Sequence, residues 1–260
     1  MSSKPTAEEL PEHFEQRKTL IMLEAAIEAL EVHTLDAAQL NKLNIKRQRM
    51  NLDTNSDLRP RFFAPRPNHP PTDEVVNETV DYLHDKDAFT DPTSRAYHLE
   101  RGWSSYTSSD LRWRRDNNLW RGMGVCYYTP FKELYKYDKP DFGVFNIMDI
   151  PTAEFPHMKA VTWNGLEGED SELGRGELLI ILRLMLGQLR KVRLLHHNVS
   201  PILVVSFMGK RARLLESFFE DQSFIVRTSD VYDFSDKKTT SMAFKSFAEY
   251  YHGDPAGNTL

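Results

Sequence analysis

Leu20, Leu23, Ile27 and Leu30 recur at heptad-like intervals near the start of the chain. Pro11 ahead of them suits a first helical position, and Glu12 and Glu15 suit the positive end of the helix dipole, so the pattern predicts an amphipathic helix. Thr34 is placed to cap a second helix, with Asp36 in its first turn and Lys42, Lys46, Arg47 and Arg49 toward its end. Residues 11–51 therefore read as a helical hairpin, within an arm of residues 1–55. Five prolines follow in residues 56–73, each lacking a donor and discouraging helix in the residue before it, which predicts a linker or an extended strap. Its arginines and Phe62-Phe63 suit either a partner groove or the strap's own domain.

Val76, Val80 and Leu83 predict a short helix from Asp73, after which no clear period emerges before Trp120. Aromatic and β-branched runs between Gly, Pro and Asp predict strands at 122–128, 142–148 and 159–163. Glu177 opens a helix that is apolar except along a stripe of Arg183, Gly187, Arg190 and Lys191, so this helix is expected to be largely buried. Strands are then predicted at 202–208, 213–219 and 223–228, with a final helix at 240–251 that stops at Gly253-Asp254-Pro255. Helix followed by strand meander gives the expected fold class: α/β (mixed α+β), with a small mixed or antiparallel sheet on a buried helix, in a domain of residues 74–260. No internal repeat is visible, which removes solenoids and propellers.

The net charge of −5 over 260 residues excludes a uniformly basic nucleic-acid binder but not a local basic face. One cysteine, Cys126, rules out disulfides within the chain and any cysteine-based zinc cluster, and its apolar surroundings read as those of a small buried hydrophobe. A reducing compartment fits, and the polar, acidic N-terminus carries no secretion signal, so an intracellular place, cytoplasmic or nuclear, is expected. Arg183, Arg190, Lys191 and Arg193 interrupt the most apolar segment, 178–195, so no membrane span is expected.

The words GELLIILRLMLGQLRK, PILVVSFMG, ARLLESFF, VYDF and GDPAG, spread over Gly176–Gly257, resemble a family of uncharacterised proteins of filamentous fungi. The resemblance covers about the last third of the chain and implies no activity or site residues.

Three sets of residues carry candidate chemistry. Helix then meander is also the element order of restriction-endonuclease-like nucleases, which need a helical carboxylate and strand carboxylates around magnesium, with a lysine near the attacking water. Glu177, Glu216, Asp236 and Lys238 are the candidates, although the strand predicted at 223–228 holds no carboxylate. Each also has a plain structural role: Glu177 against the helix dipole, Glu216 paired with Arg213 or Arg227, and Asp236 with its lysines in a solvated turn. Second, the stretch 95–121 mixes guanidinium groups with aromatic faces, suiting either nucleic acid or a stapled loop; Arg112, Trp113, Arg114, Arg115, Trp120 and Arg121 are its candidates. Third, Gly174-Arg175-Gly176 precedes a helix start, where free amides attract anions, but the fuller nucleotide-binding spacings are missing. His196 and His197 diverge as neighbours and suit the end of a helix better than a metal. The reading favoured by these residues is a non-catalytic intracellular interaction protein that engages a protein partner or a second copy through its N-terminal hairpin. No cofactor is expected, magnesium belonging only to the nuclease alternative.

Overall fold

The computed structural model describes residues 9–66, 73–83, 90–108, 119–125 and 128–260. Among these the chain runs α1 (Pro11–Glu28), β1 (Thr34–Leu35), α2 (Ala37–Lys42), β2 (Ile45–Arg49), β3 (Phe63–Ala64), α3 (Asp73–Leu83), α4 (Pro92–Ser108), β4 (Arg121–Met123), β5 (Phe142–Asp149), β6 (Met158–Asn164), β7 (Leu173–Gly174), α5 (Arg175–Leu189), β8 (Ile202–Met208), β9 (Arg211–Glu220), β10 (Ser223–Thr228), β11 (Tyr232–Asp233), α6 (Lys237–Tyr251) and β12 (Asp254–Pro255). The main sheet has eight strands, in the order β2-β10-β9-β8-β6-β5-β4, with β11 pairing to the start of β9. It is mixed: β2 lies parallel to β10 and β6 parallel to β8, while β8-β9-β10 and β6-β5-β4 are antiparallel.

Every residue of β6, β8 and β10 is buried, because helices cover both faces of the sheet. On one face lies α5, the crossover between parallel β6 and β8, with α1 packed upon it. On the other lie α4 and α6, with α3 against both. The fold is therefore α/β, as the pattern predicts, with a larger sheet than the pattern suggested.

All fifteen residues of α5 are buried. Gly176 allows the helix its close approach to the sheet, since a Cβ there would meet Asn164 Oδ1 at 2.5 Å and the Phe142 side chain at 2.7 Å. The polar stripe read along this helix turns toward α1 and the segment 128–133 rather than to water. Arg183 binds Glu24 and Glu28, Gly187 leaves room for the Tyr128 hydroxyl, and Arg190 lies over Phe131.

The N-terminal hairpin is not formed. Pro11 opens α1 as expected and Leu20 and Ile27 are fully buried, but they pack against α5. Asp36, not Thr34, caps the second helix, in a reciprocal box with Gln39, and that helix ends at Lys42. The basic run Lys46-Arg47-Gln48-Arg49 forms the edge strand β2. Because α1 and β2 belong to the core and the sheet, residues 9–55 are not a separate arm.

The described part of the strap, residues 56–66, is also part of the domain. Phe62 and Phe63 are fully buried, and β3 pairs with β12. Helix α4, Pro92–Ser108, lies within the stretch that showed no clear period; Asp91 accepts from the Ser94 amide at its start and Ala96, Leu99, Trp103 and Tyr106 are buried. The buried Nζ of Lys159 donates to the carbonyls of Tyr250, Tyr251 and Gly253 at 3.1, 2.9 and 2.6 Å, closing the C-terminal end of α6.

His157 sits where strap, sheet and C-terminus meet, with its Nε2 3.0 Å from the Ala256 carbonyl and the edges of Phe62 and Phe63 around its ring. Burial lowers its pKa to about 4, against the opposing pull of the Ala256 carbonyl. In the unfolded chain it titrates near 6.5, so between these values the unfolded state binds the extra proton and stability falls as the pH is lowered. We expect its contribution to be intact above pH ~6.5 and about 3 kcal/mol of stability to be lost by pH ~4. Urea midpoints against pH for wild type and His157→Gln measure this, and identical acid limbs would disprove it.

Candidate functional site

In α/β folds ligands gather at the carboxyl ends of parallel strands, beside the N-terminus of the crossover helix. Here that place is the end of β6 and β8 and the start of α5. Thr162, Ser206 and Arg213 stand in register across β6, β8 and β9, all buried, and Asn164 Nδ2 donates to Ser206 Oγ at 3.1 Å. Glu177, the third residue of α5, reaches back to accept the Gly174 amide at 2.8 Å. Arg213 Nε donates to Glu177 Oε1 at 3.0 Å and its Nη2 to Oε2, while Nη1 donates to the Glu172 carbonyl at 2.8 Å. Burial opposes the charge on Glu177, but Arg213 and the Gly174 amide outweigh it and hold the carboxyl below the usual range. Glu177 thus binds an arginine in the position where a nuclease would need metal. Its amide partner, Gly174, is also one of the anion-site candidates, and its N–H is occupied.

Glu216 lies on the other face of the sheet. Along β9, Arg213, Leu215 and Phe219 face α5, whereas Ala212, Leu214 and Phe218 face the opposite core. Glu216 shares the second parity. It accepts the amides of Arg61 and Phe62 at 2.9 and 2.6 Å and Arg227 Nη1 at 2.7 Å, and so pairs with Arg227 rather than Arg213. Burial pushes its pKa up against the pull of these donors. Arg227 also donates to the carbonyls of Leu58 and Arg59, so Glu216 and Arg227 together bolt the strap onto the sheet.

Asp236 caps α6, accepting the Thr239 amide at 2.7 Å, and that amide holds its pKa low at the exposed helix start. Lys238 is exposed in the first turn of the same helix. The four nuclease candidates therefore occupy two faces of the sheet and a helix terminus and do not converge. Among the described residues no group of three or more His, Cys, Asp or Glu side chains is placed to hold a metal ion.

In the Arg/Trp stretch, Arg112, Trp113, Arg114 and Arg115 lie outside the described residues, as does Cys126. Trp120 is a buried staple: its Nε1 donates to the Gly253 carbonyl at 2.9 Å, and Lys159 Nζ lies 3.9 Å from a ring centroid. Arg121 pairs with buried Asp149, which also takes Lys191 at 2.9 Å and Arg193 at 3.4 Å. His197 does not cap α5, which ends at Leu189; its ring ties Thr259 to Ala153.

A groove of about 680 Å³ opens between α1, α5 and residues 128–136. Tyr128, Phe131, Leu134, Tyr135 and Leu179 line it together with Glu28, Lys132, Lys136, Arg175 and Arg183. Part of its wall is a charge network in which Lys132 and Arg183 each bind both Glu24 and Glu28. At the rim Tyr135 packs on Tyr137, ring centroids 5.0 Å apart, and Tyr137 is 76% exposed. This site went unread in the sequence, although Tyr135-Lys136-Tyr137 alternates aromatic and basic residues just before a predicted strand.

No protein-family model, curated protein or solved structure matches the chain. The site must be argued from its own chemistry.

The Glu177–Arg213 geometry has a stability consequence. Removing either partner leaves a buried, uncompensated charge, so Glu177→Ala is expected to cost about 3–5 kcal/mol. Glu177→Leu combined with Arg213→Met should recover much of that loss, because an apolar pair of similar volume leaves no charge to solvate. Guanidinium denaturation of the single and double variants tests the coupling; simple additivity would refute it.

Proposed function

We propose that this chain is a non-catalytic binding protein that engages a protein partner through the groove between α1, α5 and residues 128–136. What carries the reading is the state of the buried carboxylates. Glu24, Asp149, Glu177 and Glu216 are each fully buried and each held by arginine or lysine, so none stands ready as a general base or as an open metal ligand. The groove supplies the other half, since Tyr128, Phe131 and Tyr135 line it beside Arg175 and Arg183, and aromatic residues and arginine are enriched where proteins recognise one another. The N-terminal segment still takes part, because Glu28 of α1 forms one wall, but as a packed helix rather than as a free hairpin.

The nuclease alternative makes the opposite forecast. Calorimetric titration with magnesium or manganese is expected to give no heat that Glu177→Gln or Asp236→Ala alters, and single- and double-stranded DNA and RNA should remain uncut. Cleavage that disappears in a folded Glu177→Gln variant would replace the binding reading. For the groove itself, a photo-cross-linking residue at position 137 should capture a partner in cells, and Tyr135→Ala should reduce the yield without altering the fold. Cross-links unchanged by Tyr135→Ala would rule the groove out as the recognition surface.

A further inference from the structure

Strand β2 ends the sheet: β10 pairs with one side of it, and no described strand lies on the other. Alternate residues of such a strand turn their amides and carbonyls away from the sheet, a ready template for another extended chain. The sequence of β2 is Ile-Lys-Arg-Gln-Arg, with Lys46, Gln48 and Arg49 exposed and Arg47 partly buried. Side chains alternate across the strand, so Lys46 and Gln48 sit on the Phe218 face and Arg47 and Arg49 on the α5 face. Against Gln48 the strap adds Arg59 and Arg61, which line a groove of about 480 Å³ floored by Phe218 and Ile225. Arg61 is held in place there, 5.4 Å above the Phe218 ring and bound to Glu220. Cations thus flank the open edge on both faces, Lys46 and Arg47 beside Arg49, which pairs with exposed Asp230 at 3.1 Å, within a protein whose net charge is −5.

We propose that the β2 edge is a second binding surface, independent of the groove, which takes an extended acidic segment of a partner protein as an added strand. The charge pattern selects the occupant. A second copy pairing edge to edge would set Lys46, Arg47 and Arg49 against one another, and like charges across paired strands repel. An acidic segment meets opposite charge on both of its faces while its backbone completes the ladder. Nucleic acid would answer the charge but has no amides at strand spacing.

The test uses the intact wild-type protein and a fluorescent peptide of about nine residues alternating Glu with Val or Thr, the upper end of common strand lengths. Two analogues carry N-methyl groups on the odd or on the even residues. A strand bound at an edge bonds through one alternate set of amides only, so one analogue should lose about tenfold or more in affinity while the other binds as the parent does. Lys46→Glu with Arg49→Glu, both on the exposed edge, should weaken the parent peptide by at least about tenfold at low salt. Equal binding by both methylated analogues and the parent would overturn the proposal by reducing the surface to a patch of charge. So would the absence of binding at low salt, or oligothymidylate binding as tightly as the peptide with the same dependence on Lys46 and Arg49. None of these outcomes touches the groove, which the cross-link from position 137 tests separately.

Discussion

Because every residue of α5 is buried, this helix needs cover on all sides, and that requirement organises the rest of the molecule. The sheet covers one side; α1 and the segment 128–134 must cover the other. A helix in that position cannot carry a bare charge, yet its sequence contains Arg183 in the middle of the seam. Glu24 and Glu28 of α1 answer it, and Lys132 balances the surplus negative charge. The N-terminal helix is therefore a component of the core from the moment α5 is placed, and a free hairpin arm would expose both the apolar seam and the arginine.

The same device recurs wherever a segment distant in sequence is fastened down. Glu216 and Arg227 fix the strap, Glu177 and Arg213 join the start of α5 to β9, and Asp149 gathers Arg121, Lys191 and Arg193 around the ends of β4, β5 and α5. Lys159 closes the end of α6 through carbonyls and packs under Trp120. Buried pairs of this kind contribute little net stability over an apolar core, but breaking one is costly, so each favours a single arrangement of its segments. They also explain why the interior resembles a catalytic centre when read as a list of residue types: carboxylates and arginines are brought inside and paired for fastening.

Much of the architecture was legible because one physical rule dominated locally. Strand β8 appears as a nearly continuous apolar run, since both of its faces are buried, and the tight turn between β9 and β10 shows as Asp221-Gln222, both of which adopt positive φ. Helix α4 was readable too, from Ala96, Leu99, Trp103 and Tyr106 at helical spacing, but the arginines among its aromatics drew attention to charge instead. Strand β2 was obscured by its edge position, where basic side chains match the end of a helix as well as they match a protected edge. Parity also held unused information: residues three apart on a strand point to opposite faces, so Arg213 and Glu216 could not pair on β9. What no local pattern contains is which carboxylate meets which arginine across elements, because that depends on the crossover that sets α5 on one face and the strap on the other.

Function, in a protein built this way, has to be sought where polar groups remain uncommitted by the fold. Inside, carboxylates and guanidinium groups neutralise one another, and reopening any pair for chemistry would leave a buried charge without a partner. At the surface the argument reverses, because exposed charge costs little to maintain and interacts with whatever approaches. The exposed Tyr137 at the rim and the exposed Lys46 at the edge are both of this second kind. Neither is needed to close the core: Tyr137 and Arg49 can be exchanged without uncovering an apolar residue, whereas Glu24 or Glu216 cannot be removed without freeing a buried arginine. A selective pressure acting on binding could therefore reshape the rim and the edge while the interior network, and with it the fold, stayed unchanged.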